Sequence, residues 1–129
     1  MTDNYISRIE QYHHEHLTWE RLLDFFKQEN AILKTRLAEV LDNNADKEIL
    51  PYAEHFQNQF IIKDEFIDEL KHDVHVIHEV YEDRKGNIKN DVAKKLDARQ
   101  TRLRNEMEYF EKDFYSLKNE FNKYLVSVL

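Results

Sequence analysis

Cysteine is absent from the 129 residues, and glycine and proline occur once each. Without cysteine there is no thiolate zinc site, no iron–sulfur cluster and no disulfide framework. With a single glycine there is no GxGxxG fingerprint and no Walker loop, because both need backbone that only glycine lets close to a phosphate. No apolar run approaches the roughly 20 residues of a membrane span. The first ten residues, MTDNYISRIE, carry no signal-peptide pattern. A cytoplasmic protein without a membrane span is therefore expected. No segment alternates polar and apolar residues over more than a few positions, so no sheet is expected either. The chain reads as one domain, 1–129, with no internal repeat or linker.

Charge is plentiful and unevenly placed. Acidic residues outnumber basic ones 26 to 19, a net charge of −7 that argues against nucleic-acid binding. Yet one stretch is basic: Arg84, Lys85, Lys89, Lys94, Lys95, Arg99, Arg102 and Arg104, with only Asp91 and Asp97 among them. Such an island suits a phosphate, an acidic lipid face or an acidic partner. Charge runs are also commonly solvated or paired within their own fold.

Three segments carry an apolar seam whose steps alternate between three and four residues, the signature of helices packing along a heptad line. The first runs Ile9, Tyr12, His16, Trp19, Leu23, Phe26, Asn30, Leu33, Leu37, Val40. Asp3 or Asn4 is its expected cap, and Asp42-Asn43-Asn44 its expected end. The second follows Pro51, a residue tolerated in the first turn, through Ala53, Phe56, Phe60, Ile67, Leu70, Val74, Ile77 and Tyr81. Lys63 interrupts that seam. Arg84 and Lys85 suit a helix end, and Gly86 suits the left-handed turn that closes it. With Asn90 as cap, the third seam runs from Ala93 through Leu96, Gln100, Leu103, Met107, Phe110, Phe114, Leu117, Phe121 and Tyr124 to Val128. The expected fold is all-α: an antiparallel up-down-up bundle of three long helices, with coiled-coil-like packing and helices near 4–42, 50–85 and 90–128. Polar seam residues such as Asn30 and Gln100 disfavour wrong registers, and replacing Asn30 by Leu is expected to raise stability by about 1 kcal/mol.

A second apolar stripe accompanies the seams: Leu22, Phe25 and Ile32 on the first helix, and Ile62, Phe66, Val76 and Val80 on the second. These positions either widen the core or bury a subunit contact, and Leu22, Phe25, Ile32 and Phe66 are the interface candidates. A homo-oligomer, preferably a dimer, or a helical protein partner is expected.

Six of the seven histidines form two clusters: His13, His14 and His16, and His72, His75 and His78. Folding the first hairpin brings both clusters, with Asp97, Arg99 and Gln100, to one height on the rod. Carboxylates lie three or four residues from several of them: Glu10–His13, His16–Glu20, Glu69–His72 and His75–Glu79. Such pairs share a helix face and suit zinc, iron or manganese. The ingredients resemble hemerythrin-like and ferritin-like sites, but three helices replace four and the third contributes no histidine. Only His16 occupies a seam position, while His72 and His75 are out of phase with it. No metal or other cofactor is expected; if a metal does bind, the expected ligands are His13, His16, Glu20, His78 and Asp97. No serine or threonine sits in a strained turn beside a base, so no catalytic residue is assigned and the chain is not expected to be an enzyme.

The stretch Glu29–Val40 (ENAILKTRLAEV), with His55–Phe60 (HFQNQF) and Asp68–Asp73 (DELKHD), resembles small uncharacterised helical proteins of Bacteroidetes bacteria. That resemblance implies a bacterial cytoplasmic setting and brings no function with it. Spectrin-type repeats are similar in length and in having a tryptophan in the first helix, a likeness of architecture alone. The leading expectation is a non-enzymatic interaction or scaffolding module that self-associates or docks a helix. The alternative is a metal-binding bundle using the histidine layer.

Overall fold

The computed structural model describes residues 2–43, 50–83 and 89–128. Three helices occupy them: α1 (Thr2–Asn43), α2 (Leu50–Asp83) and α3 (Asn90–Val128), with no strand among the described residues. Each helix packs against the other two. Asn30 meets Phe60 and His13 meets His78, so α1 and α2 are antiparallel. Phe56 meets Phe121 and Phe66 meets Phe110, so α2 and α3 are antiparallel as well. The expected three-helix bundle is the observed one. No helix of the described residues is long and apolar enough to cross a membrane.

The helix ends differ slightly from the sequence expectation. Helix α1 already runs from Thr2, so Asp3 and Asn4 lie inside it and neither is its cap. The Ala93 amide donates to the Lys89 carbonyl at 2.8 Å, which makes Asn90 the first residue inside α3 rather than the cap before it. Pro51 is second in α2, where its missing N–H removes no helical bond. Asn44, Arg84, Lys85, Gly86 and Asn87 lie outside the described residues.

The seams form the core. From His16 to Val40, from Ala53 to Tyr81 and from Ala93 to Tyr124, every seam position is buried, the interrupting Lys63 included. Ile9, Tyr12 and Val128, at the seam ends, are half-buried. Towards the α1–α2 loop, aromatic rings interlock: Phe60 and Phe121 lie 5.1 Å apart edge to face, and Phe26 lies 5.1 Å from Phe114. Such pairs add about 0.5–1.5 kcal/mol each beyond the apolar area they bury.

Polar seam residues are fastened across helices. The Asn30 amide donates to the Phe60 carbonyl and to Asp64 Oδ1, both at 2.8 Å, and Asp64 also pairs with Lys27 and Lys34. These bonds argue for a loss rather than the expected gain from Asn30→Leu, because the substitution removes two N–H donors that α2 uses, while Asn30 Oδ1 is buried with no partner among the described residues. Asn30 and Gln100 occupy separate networks. Lys63, only 6% exposed, reaches Asp113 of α3 at 2.6 Å, so the apparent flaw in the second seam is a buried lysine paired with a partly exposed carboxylate.

The second apolar stripe divides. Leu22, Phe66, Val76 and Val80 are half-buried; Leu22, Phe66 and Val80 pack against the core, with Phe66 stacked on Phe110 at 5.5 Å, so these three widen it. Phe25 and Ile32 remain 45% and 55% exposed, and Ile62 is exposed too.

Candidate functional site

The histidines separate by helix face, as their phase requires. His72 and His75 point outward, and His75 pairs with Glu79 one turn along at 3.1 Å. His13, His16 and His78 converge between α1 and α2. The ring centroids of His13 and His78 lie 5.0 Å apart, and those of His16 and His78 lie 5.7 Å apart. A cleft of about 180 Å³ opens there, lined by Ile9, Glu10, His13, His14, His16, His78, Tyr81 and Glu82.

His16 is fully buried at the back of the cleft and anchored to α3. Its Nε2 lies 2.6 Å from Gln100 Oε1. Gln100 Nε2 donates to Glu15 Oε1 at 3.1 Å, and Arg104 grips both Glu15 oxygens at 2.6 and 2.7 Å. The chain has one consistent proton arrangement. An ionised Glu15 can only accept, which turns the Gln100 amino group towards it and the Gln100 oxygen towards His16. Neutral His16 must then carry its proton on Nε2, leaving a lone pair on Nδ1. That Nδ1 is buried and has no hydrogen-bond partner among the described residues.

The electrostatics agree with these protonation states. Burial lowers the His16 pKa below its usual 6.5 and outweighs the opposing hydrogen bond to Gln100; a charge on His78 would lower it further. For Glu15, burial acts upward, but the hydrogen bonds from Arg104 and Gln100, with the Arg104 charge, bring the carboxyl below 4.5. Arg104 is raised in turn, chiefly by its bond to Glu15.

The expected ligand set is only partly assembled. His13 and His78 offer nitrogen atoms that, with a Glu82 oxygen, lie within 4.8 Å of one another. His16 joins the cleft wall but stands outside that group of donors. Glu20 is half-buried and outside the cleft. Asp97 has the expected height but the wrong direction: it faces α1 on the opposite side, accepting from Arg8 at 2.9 Å and from Tyr12 at 3.0 Å. Burial, then the Asp97 hydrogen bond, raises the Tyr12 pKa. Glu82 is the potential donor that sequence reasoning missed, although its spacing four residues after His78 was the available signal.

The basic island is partly consumed by the fold. Arg104 binds Glu15, and Arg102 pairs with Glu106 at 3.1 Å on its own helix. Lys89, Lys94, Lys95 and Arg99 are exposed and form no ion pair with another described residue. Arg84 and Lys85 lie outside the described residues. Compared with family models, with curated proteins and with solved structures, the chain matches none of them.

Proposed function

We propose that this chain is a non-enzymatic helical interaction module of the cytoplasm that associates with a second copy of itself through the outer face of α1. One observation carries the reading. Phe25 and Ile32, one heptad apart, stay 45% and 55% exposed although each has an apolar side chain that gains from burial. Half-buried Leu22 extends the same line towards the core. In a two-fold dimer the same stripe supplies both sides of the contact, each residue i meeting a residue j of the second copy and j meeting i, so a short stripe is enough to be self-complementary. The cross-helix networks at Asn30, Lys63 and His16 support the reading in another way. They spend the polar seam residues on fixing one arrangement of three helices, the property a scaffold needs.

Light scattering at micromolar concentration tests this directly. The expected mass is twice 15.8 kDa. The double variant Phe25→Asp, Ile32→Asp is expected to return a folded monomer, judged by an unchanged helical circular dichroism spectrum. A wild-type mass of 15.8 kDa overturns the reading.

A further inference from the structure

The geometry points to a divalent transition-metal site of the zinc type, made by His13 of α1 with His78 and Glu82 of α2. The inference is independent of self-association. Three donor atoms of the right kinds converge within 4.8 Å in the cleft between the two helices. His78 and Glu82 are four residues apart, so α2 presents them on one face, and the His13 ring approaches His78 from across the cleft. Two imidazoles and one carboxylate suit zinc and its neighbours, whereas calcium and magnesium prefer oxygen alone.

Zinc bonds of about 2.0–2.2 Å require donors drawn somewhat closer together. Glu82 is exposed and His78 half-buried, so rotation of side chains, without movement of the helices, makes that adjustment. A tetrahedral ion would keep one position for water. His16 supplies the second, independent observation. It is fully buried in the wall of the same cleft, and its Nδ1 lone pair has no partner among the described residues. The hydrogen-bond chain from Arg104 through Glu15 and Gln100 holds His16 in the tautomer that leaves Nδ1 unprotonated. A buried acceptor of this kind is costly unless something donates to it; Nδ1 is closed to solvent in this structure, so a metal-bound water would reach it only after a small rotation of the cleft-wall side chains. The exposed carboxylate of Glu10 also lines the cleft and adds negative potential. The ion would bridge α1 to α2 near the end of the rod.

The test uses the full chain without a histidine tag, titrated with zinc chloride by calorimetry and melted with and without the metal. One zinc per chain is expected, with a melting midpoint that rises with zinc concentration, because binding to the folded state alone stabilises it. His13→Gln and His78→Gln should each weaken binding by at least about ten-fold and abolish the shift in melting. Glu82→Gln, on an exposed position that folding does not need, should weaken it too. His75→Gln with Glu79→Gln, the outward pair, should change nothing. Binding that survives His13→Gln and Glu82→Gln, or that leaves the melting midpoint unmoved, marks adventitious capture by surface histidines and overturns the site.

Discussion

The two halves of the bundle solve one packing problem with different chemistry. Towards the α1–α2 loop the layers are filled by Phe26, Phe56, Phe60, Phe114 and Phe121, whose rings interlock across all three helices. Towards the other end the equivalent layer holds His16 from α1 and Gln100 from α3, both fully buried. The aromatic half is filled by rings that do not titrate, with the Asn30–Asp64 and Lys63–Asp113 contacts beside them. The histidine half depends on one connected set of hydrogen bonds that includes two groups titrating in the acid range, His16 and Glu15. The difference explains where reactive side chains collect: the cleft opens beside the polar layer.

Breaking the aromatic half should cost most. Phe60→Ala removes a fully buried ring that touches Phe56 and Phe121, and the expected loss is about 3–5 kcal/mol in urea denaturation. A loss below about 1 kcal/mol would show that the aromatic layers do not carry the core.

Gln100→Leu comes next. It removes the acceptor for His16 Nε2 and a donor to Glu15, leaving a buried imidazole N–H unpaired, for an expected loss of about 1–3 kcal/mol. Adding His16→Leu should recover much of it, since an apolar pair leaves nothing unsatisfied. If the double variant is as unstable as Gln100→Leu, the loss came from volume and not from the orphaned nitrogen.

Asn30→Leu should lower stability by about 1 kcal/mol, through loss of the bonds to the Phe60 carbonyl and Asp64. A gain would mean that the paired Asp64 is satisfied by its lysines alone. The smallest effect belongs to the exposed pair Asp24–Lys71: Lys71→Ala should shift stability by no more than about 0.5 kcal/mol despite its 2.6 Å contact.

Residue by residue, the sequence was most informative about the direction a side chain faces relative to its own helix. The three-four alternation identified His16 as inward and His72 and His75 as outward, because helical phase is a local property. It was least informative about which neighbour a flank faces. Asp97 lies at the height of the histidine layer, yet it turns to Arg8 and Tyr12 instead of the cleft. Height follows from loop positions, but azimuth depends on how three helices rotate against one another. Lys63 shows the same limit. Its burial makes sense only beside Asp113, 50 residues later and on another helix. Likewise, Phe66 and Phe25 carry equal apolar weight in the sequence, and only packing decides that Phe66 meets Phe110 while Phe25 stays exposed.

Acid should separate the two halves. Burial depresses the His16 pKa in the folded chain, so below about 6.5 the unfolded chain binds the proton more readily and stability falls with pH. The groups facing His16 act in the same setting: His13 and His78 add like charge when protonated, and Glu15 opposes it. Glu15 is depressed too, so its contribution is present above about 4.5 and is lost only as pH falls further. Amide hydrogen exchange, expressed as protection factors at pH 7 and pH 5, is the most direct measurement of this division. Protection around His16, His78 and Gln100 should fall between those values while protection around Phe60 and Phe121 persists. Uniform loss along all three helices, or earlier loss at the phenylalanine layers, would contradict the account.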